Sequence, residues 1–541
     1  MKKIDPDLFK YTNRLTMDYL DQKTALKEFY GEFPDIGSFK DQINRKKEQY
    51  SHEQRELLVK HLEVQYHNVP TSKEVKENIS LLKKSNAYTV TTGHQLNLFT
   101  GPLYFIYKIV SCLDLAERLK NEHPDSHFIP VYWMASEDHD FEEIRSALVN
   151  NGKIVWQHKE GNAVGRMSLD GLKKTIDELA GTLNGSEHTQ ELLGFLRSEF
   201  LNSNDHAQAF LKLVDFLFQE FGLVILDADD KALKSAFKNS IHNELGHQYL
   251  EKTVTETSKK LAEKGYKVQV NPREINLFYF DKEQRKRLVK KKNSFSTDDG
   301  TIHFTKDELH DHVEEHPERF SPNVLMRPLY QETILPNLAY IGGGAEVAYW
   351  LQLKGYFEKE GLPFPIIFLR NGAMVHDSKQ SKKAGKLSLR MEDLLLDKAS
   401  INEKVTRSSS DIKINFEPQK KHLKQQFKDL YQIAEKTDAS FRSAVAAQER
   451  KQVKGLEHLE KRLLRAEKKK RKDLLKRAHR LKTELYPEGN LQERELNFLE
   501  FYQYSGKGFI HQLVDEFNAF DNTFYIIEYN KDLKLNPNKN L

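Results

Sequence analysis

Apolar positions change their period several times along this chain, and each change marks an element. Up to residue 85 they recur at helical spacing, as at Leu57, Leu58 and Leu62, with breaks at Pro34, Gly37 and Pro70. At Ala87-Tyr-Thr-Val-Thr91 the pattern becomes that of a β-branched strand. A loop with a glycine at each end, Gly93 to Gly101, follows, and Pro102 stands where proline starts helices. Leu103, Ile106, Tyr107, Val110 and Leu113 then form one helical stripe, and Phe128-Ile-Pro-Val-Tyr-Trp-Met134 reads as a second strand. Strand, loop, helix and strand in this order predict a βαβ unit, hence a parallel sheet with a right-handed crossover. Further strands are predicted at 153–156, 223–226, 275–280 and 365–369, with 275–304 an antiparallel insertion turning near Asp298-Asp299-Gly300. The expected fold class is α/β, a core sheet with inserted pieces.

From Met391 to Tyr486 glycine and proline become rare and the period narrows. A helix over about 418–436 opens at Pro418 and carries Leu423, Phe427, Leu430 and Ile433. After a turn near Thr437-Asp-Ala-Ser440, Leu456, Leu459, Leu463 and Ala466 step along a second helix. Beyond a stutter at Lys470 the stripe resumes through Leu474, Ala478, Leu481 and Leu485 and ends at Pro487, Gly489 and Asn490. The pattern predicts a long antiparallel coiled coil whose narrow seam suits a homodimer contact. The domains expected are a helical segment 1–86, a core 87–385 with insertions at about 150–220 and 275–320, the coiled coil 386–488, and a return to the core over 489–541.

Composition narrows the function classes. The 541 residues hold one cysteine, Cys112, which excludes an internal disulfide and any multi-cysteine zinc site. It falls in the first core helix, where it is expected half-buried and inert. No apolar window approaches the ~20 residues of a membrane span and the N-terminus lacks a signal-peptide core, so a soluble cytoplasmic protein is expected. The net charge is only +4, and the basic run through Lys468-Lys-Lys-Arg-Lys472 reads as the outer face of a helix. Nucleic acid is therefore not an expected partner.

Four regions carry candidate chemistry. The second strand ends in Glu137, Asp138, His139 and Asp140, at the exit where buried strands of α/β sheets present ligand-binding groups. Carboxylates this close repel unless a cation, a donor network or a substrate amine holds them. The alternative is a solvated acidic helix start. Leu226 opens into a second acidic exit, Asp227-Ala-Asp-Asp230. The Gly93–Gly101 loop precedes a helix N-terminus and is a candidate anion site. In Ser321–Glu346, glycines 342 to 344 precede a helix, and Arg327 is fit to clamp a carboxylate with two hydrogen bonds. Lys379-Gln-Ser-Lys-Lys383 looks like the lysine loop of class I synthetases, but in so lysine-rich a stretch a chance match is the stronger reading.

Thr92-Gly-His-Gln-Leu-Asn-Leu-Phe-Thr-Gly-Pro-Leu-Tyr104, Pro130–Asp140, Ser321-Pro-Asn-Val-Leu-Met-Arg-Pro328, Ala339–Glu346 and Gln492-Glu-Arg494 resemble the cysteine-adding enzymes of bacillithiol biosynthesis, the BshC family. The likeness covers essentially the whole length. Two positions depart from it: the family usually has Gln where His94 sits and Pro where Gly344 sits. The resemblance implies a Rossmann-like core with insertions of connective-peptide type, a coiled coil that pairs two subunits, and ligation of cysteine to the amine of glucosaminyl-malate. ATP or another adenine nucleotide is the expected activator, with Mg only as its companion and no dedicated metal site.

On that reading Asp138, His139 and Asp140 orient the amine and take its proton. Glu137, Gln95, Asn97, Arg327, Gln331, Glu346 and Tyr349 bind substrate, and Gly93, His94, Thr100, Gly101, Gly342 and Gly343 hold the nucleotide. Two rivals stand beside it: a metal-dependent hydrolase built on Glu137–Asp140, and a non-enzymatic coiled-coil adaptor with a basic arm.

Overall fold

Five runs of β-branched and aromatic residues pair into one parallel sheet: β1 (Ala87–His94), β2 (His127–Met134), β3 (Val224–Asp227), β4 (Asn337–Gly342) and β5 (Ile366–Leu369). Their order is β5-β4-β1-β2-β3, so the winding reverses between β1 and β4. The computed structural model describes residues 1–9, 11–159, 163–282, 284–292, 294–437 and 439–529.

Register sets the site. Gly93 lies beside Trp133, His94 beside Met134, and Met134 beside Asp227, so three strands end at one level. β4 is offset by a bulge between Asn337 and Ala339 and places Tyr340 beside Thr91. Pro130 has no N–H to give, and β3 pairs with β2 only from Val131 onward, so the proline precedes the stretch paired on both sides. The helix α1 (Tyr104–Glu122) joins β1 to β2. Its Cys112, Leu115 and Leu119 pack with Tyr88, Val90, Phe128, Ile341 and Phe368 in the core. Cys112 is buried outright rather than half-buried, and burial pushes its thiol up to about 12.

Several elements differ from expectation for identifiable reasons. α1 starts at Tyr104, because Pro102 bridges to Asn497 instead of opening the helix. Residues 337–342, read as a glycine-bearing approach to a helix, form the interior strand β4 between β5 and β1; their apolar run is too short to announce itself. The 152–155 strand pairs only with Ser146–Val149 in a separate hairpin. The 275–304 insertion is antiparallel and extends to a five-stranded sheet that ends on Phe320–Pro322, which pairs with Leu277–Asp281.

Two compact units emerge: Met1–Ala373 with Glu493–Tyr525, and Met374–Gln492 with Ile526–Tyr529. In the second, helices Glu417–Ala434 and Ala439–Lys470 form a hairpin closed by Phe427, Ala434 and Val445. The stutter becomes a break at Arg471, whose guanidinium donates to the Ser409 carbonyl and pairs with Glu467. Leu430, Ile433 and Leu459 remain 40, 54 and 52% exposed on this hairpin. No helix among the described residues is long and apolar enough to cross a membrane.

Candidate active site

A cavity of about 950 Å³ opens at the C-terminal ends of β1, β2 and β4, where an open α/β sheet binds its ligands. Gly93, His94, Gln95, Glu137, Asp138, Arg327, Gly343, Glu346 and Tyr349 all line it, brought together from three distant stretches. The first cavity wall comes from β1 and β2, the second from the antiparallel insertion through Phe278 and Arg285, and the third from Pro322–Arg327 and the start of the helix after β4.

The acidic exits prove to be largely neutralised from elsewhere. Lys234, 2% exposed, pairs with Glu137 at 2.5 Å and Asp229 at 2.9 Å, and Arg166 closes on Asp229 at 2.6 and 2.8 Å. Burial acts to raise the Asp229 pKa, yet Lys234 and Arg166 outweigh it and hold the carboxyl below its ordinary range. Glu137, expected to bind substrate, is thus occupied. Asp227 has no such cation: burial, with Asp229 beside it, raises it to about 6, and Ser136 donates to it.

Asp138 is the cavity carboxylate left without a cation. Gln95 donates to its Oδ2 at 2.7 Å, and the His139 backbone N–H donates to its Oδ1 at 2.7 Å. His139 does not reach the cavity as a base, since its Nδ1 accepts from Arg285 at 3.2 Å. Burial first, then Arg285, lower its pKa, so the ring is neutral with that lone pair engaged. Asp140 is a helix cap, accepting from the Glu143 N–H. Of the three residues expected to move the amine proton, geometry leaves one. Among the described residues no three His, Cys, Asp or Glu side chains converge as metal ligands.

Arg327 is enclosed by neutral partners. It donates to Gln331 Oε1 at 3.1 Å and reaches the Tyr349 hydroxyl at 3.5 Å, between the rings of Trp133 and Tyr340. Gln331 is itself fully buried and donates to Glu332, so it positions Arg327 rather than binding substrate. Arg285 donates to Ser321 Oγ and the Pro322 carbonyl and lies over Phe278. Neither guanidinium, nor that of Arg273 or Arg494 on the same cavity, has a carboxylate within ion-pair distance among the described residues.

Glu346 is not free for substrate. Lys108 reaches Oε2 at 2.6 Å, Gly343 N–H donates to the same oxygen at 2.7 Å, and Tyr340 donates to Oε1 at 2.7 Å. Burial would raise its pKa, but these donors hold it below the ordinary value. Lys108 also donates to the Gly93 carbonyl at 2.6 Å and so ties β1 to the helix after β4. Parts of the glycine loops are likewise occupied by the chain's own atoms. Gly101 has φ +69°, and a Cβ there would stand 2.5 Å from the Cβ of Asn97. Asn497 donates to the Phe99 and Gly101 carbonyls, and Asn97 and Thr100 are buried behind the cavity wall. Gly342 packs on Tyr340 and Glu346. Asn97, Thr100, Gly101 and Gly342 therefore shape the cavity without lining it, whereas Gly93, Gly343 and Gly344 do line it.

The sequence reading assigned no site role to Lys108, Lys234, Arg285 or Arg370, and marked Arg494 only through the Gln492-Glu-Arg494 block. Lys108 was visible as a lone cation inside the apolar run Leu103–Leu113, and Arg370 as the residue leaving β5. Arg370 pairs with the buried Glu493 at 2.6 Å, which gives the Gln492-Glu-Arg494 block a structural reason. Lys379–Lys383 lies on helix Ser378–Lys386 of the second unit, and its Lys383 pairs with Glu484.

Comparison with known proteins agrees with this fold. The model of the bacillithiol biosynthesis BshC N-terminal Rossmann-like domain matches residues 3–371, and that of the BshC C-terminal coiled-coil domain matches 373–529. Proteins named "Putative cysteine ligase BshC" from Christiangramia forsetii and Flavobacterium johnsoniae are 44% and 45% identical, each over 96% of this chain and 98% and 97% of their own length. A Bacillus cereus protein of the same name is 28% identical over 94% of this chain and 97% of its own. The chain belongs to the bacillithiol biosynthesis BshC family across both its Rossmann-like and its coiled-coil domain.

Proposed function

We propose that this chain is a cytoplasmic cysteine ligase of bacillithiol synthesis, joining the carboxyl of cysteine to the amine of glucosaminyl-malate. One observation carries the reading: among the described residues the cavity keeps the Asp138 carboxylate, approached within ion-pair distance only by the neutral His139 ring, and the guanidiniums of Arg273, Arg285, Arg327 and Arg494 without a carboxylate partner. That surplus complements substrates bearing an amine and several carboxylates.

The attacking amine must be neutral, and Asp138, oriented by Gln95, is placed to accept its proton. Arg327, held by Gln331 and Tyr349, offers a fork already aimed at a carboxylate. An adenine nucleotide, with Mg as its companion, would supply the leaving group that a free carboxylate lacks. The cavity arginines and the backbone at Gly343–Gly344 are the groups that would hold its phosphates. A homodimer through the coiled coil is part of the proposal, supported by the exposed Leu430, Ile433 and Leu459, and sedimentation of the full chain tests it.

The test of function is low-molecular-weight thiol profiling of cells with the gene intact, deleted, and carrying Asp138→Asn. Loss of bacillithiol with build-up of glucosaminyl-malate in both altered strains is expected. Unchanged thiols on deletion would sink the ligase reading and favour the coiled-coil adaptor.

A further inference from the structure

Each charged group at the end of β1 is accounted for except through one uncharged side chain. His94 lines the cavity at the strand exit, with its ring 5.1 Å from that of Tyr104 and 5.7 Å from that of Phe105. The Arg370 guanidinium lies 5.2 Å over the same Tyr104 ring, and Lys108 is fixed to the Gly93 carbonyl one residue away. Neither ring nitrogen of His94 has a hydrogen-bond partner among the described residues, and its Nε2 is buried. A buried imidazole nitrogen with no partner costs stability unless a water, an ion or a ligand completes it, and here the ring also borders the cavity. The charged groups facing the ring are Lys108, Arg370 and Glu346. Burial, followed by Lys108, lowers its pKa to about 3, with Arg370 adding and Glu346 opposing. The ring is therefore neutral at working pH, a poor base whose one N–H can donate a hydrogen bond without being given up.

Resting on the ligase reading above, we propose that His94 donates a hydrogen bond to the acyl oxygen of the cysteine substrate as the amide forms. The amine nitrogen bonds to the acyl carbon, and the carbon–oxygen π pair moves onto that oxygen. The pair returns as an activating phosphate group leaves with its own bonding electrons, and the amine proton passes to Asp138. A neutral donor aimed at the developing oxyanion lowers the barrier without competing with Asp138 for the proton. Lys108 cannot take this role, because Glu346 and the Gly93 carbonyl already hold its ammonium.

The test uses full-length wild type, His94→Ala and His94→Gln, assayed for amide formation from cysteine, glucosaminyl-malate and ATP across pH 6–9 (a range of about three units around neutrality). His94→Ala is expected to lose about 10²–10³ in kcat, with KM for glucosaminyl-malate changed only a few-fold. His94→Gln keeps a neutral N–H donor and should recover to within about tenfold of wild type, with the same pH inflections. Three outcomes overturn the proposal: wild-type kcat in His94→Ala, a folded His94→Gln as slow as His94→Ala, or an inflection near neutrality that vanishes in His94→Gln. Thermal melts of both variants separate misfolding from lost chemistry, and His94→Gln carries the test should His94→Ala not fold. Wild type forming no amide would overturn the ligase reading itself, and this proposal with it; an active wild type confines any failure to His94.

Discussion

The acidic exits of β2 and β3 and the junction of β1 with β4 both border one cavity, yet they handle charge in opposite ways. At the exits, Glu137 and Asp229 share the buried Lys234, and Arg166 closes the set. At the junction, Lys108 and Glu346 cancel each other, while Arg327 is held only by Gln331 and Tyr349, and His94 is left neutral. The denser cluster of ionisable residues is thus the more self-satisfied one. Functional capacity lies where a charge is positioned by neutral groups, because a paired charge has no field left for a ligand.

This contrast can be broken most forcefully at Lys234. Lys234→Met strands Glu137 and part of Asp229 in a buried setting, and stability in urea unfolding should fall by about 3–5 kcal/mol. A loss below about 1 kcal/mol would show the exits are not internally paired. Next comes Asp138→Asn, which keeps an acceptor for Gln95 but removes the base. Amide formation should drop about 10²–10³-fold with little change in melting temperature. Arg327→Lys sharpens the junction side: a point charge replaces the fork, and kcat/KM should fall about 10- to 100-fold. Since no internal carboxylate is stranded, its stability should stay within about 1 kcal/mol of wild type.

The smallest effect is expected at Asp227, the exit acid without a cation. Its folded pKa, about 6, stands above the ordinary 3.8, so the folded state holds a proton that the unfolded state gives up. Its contribution is fully present below the lower value and is lost as pH rises through the higher one. Asp227→Asn should flatten stability over that window and gain about 1–2 kcal/mol at pH near 8, read by urea unfolding at both ends. A variant that loses stability equally at both ends would show that Asp227 is ionised and paired in the fold.

Much of this molecule was legible in the chain. The βαβ start, the strands at 223–226 and 365–369, the antiparallel insertion and the helical hairpin all follow from periodicity, which is a local property. So do the stretches that border the cavity, since strand exits and glycine-rich segments announce where backbone meets solvent. The roles within it did not. His139, Asp140 and Glu346 looked as available as Asp138, and only the fold shows that Arg285, a helix N-terminus and Lys108 had already engaged them.

What the sequence determined by itself was the set of elements and the stretches that meet at the cavity, because hydrophobic period and strand ends are written in neighbouring residues. Only the tertiary structure decided which charges remain unpaired there. Lys234 lies 97 positions from Glu137, and Glu346 lies 238 positions beyond Lys108. Ion pairing falls off over a few ångströms of space and takes no account of separation along the chain.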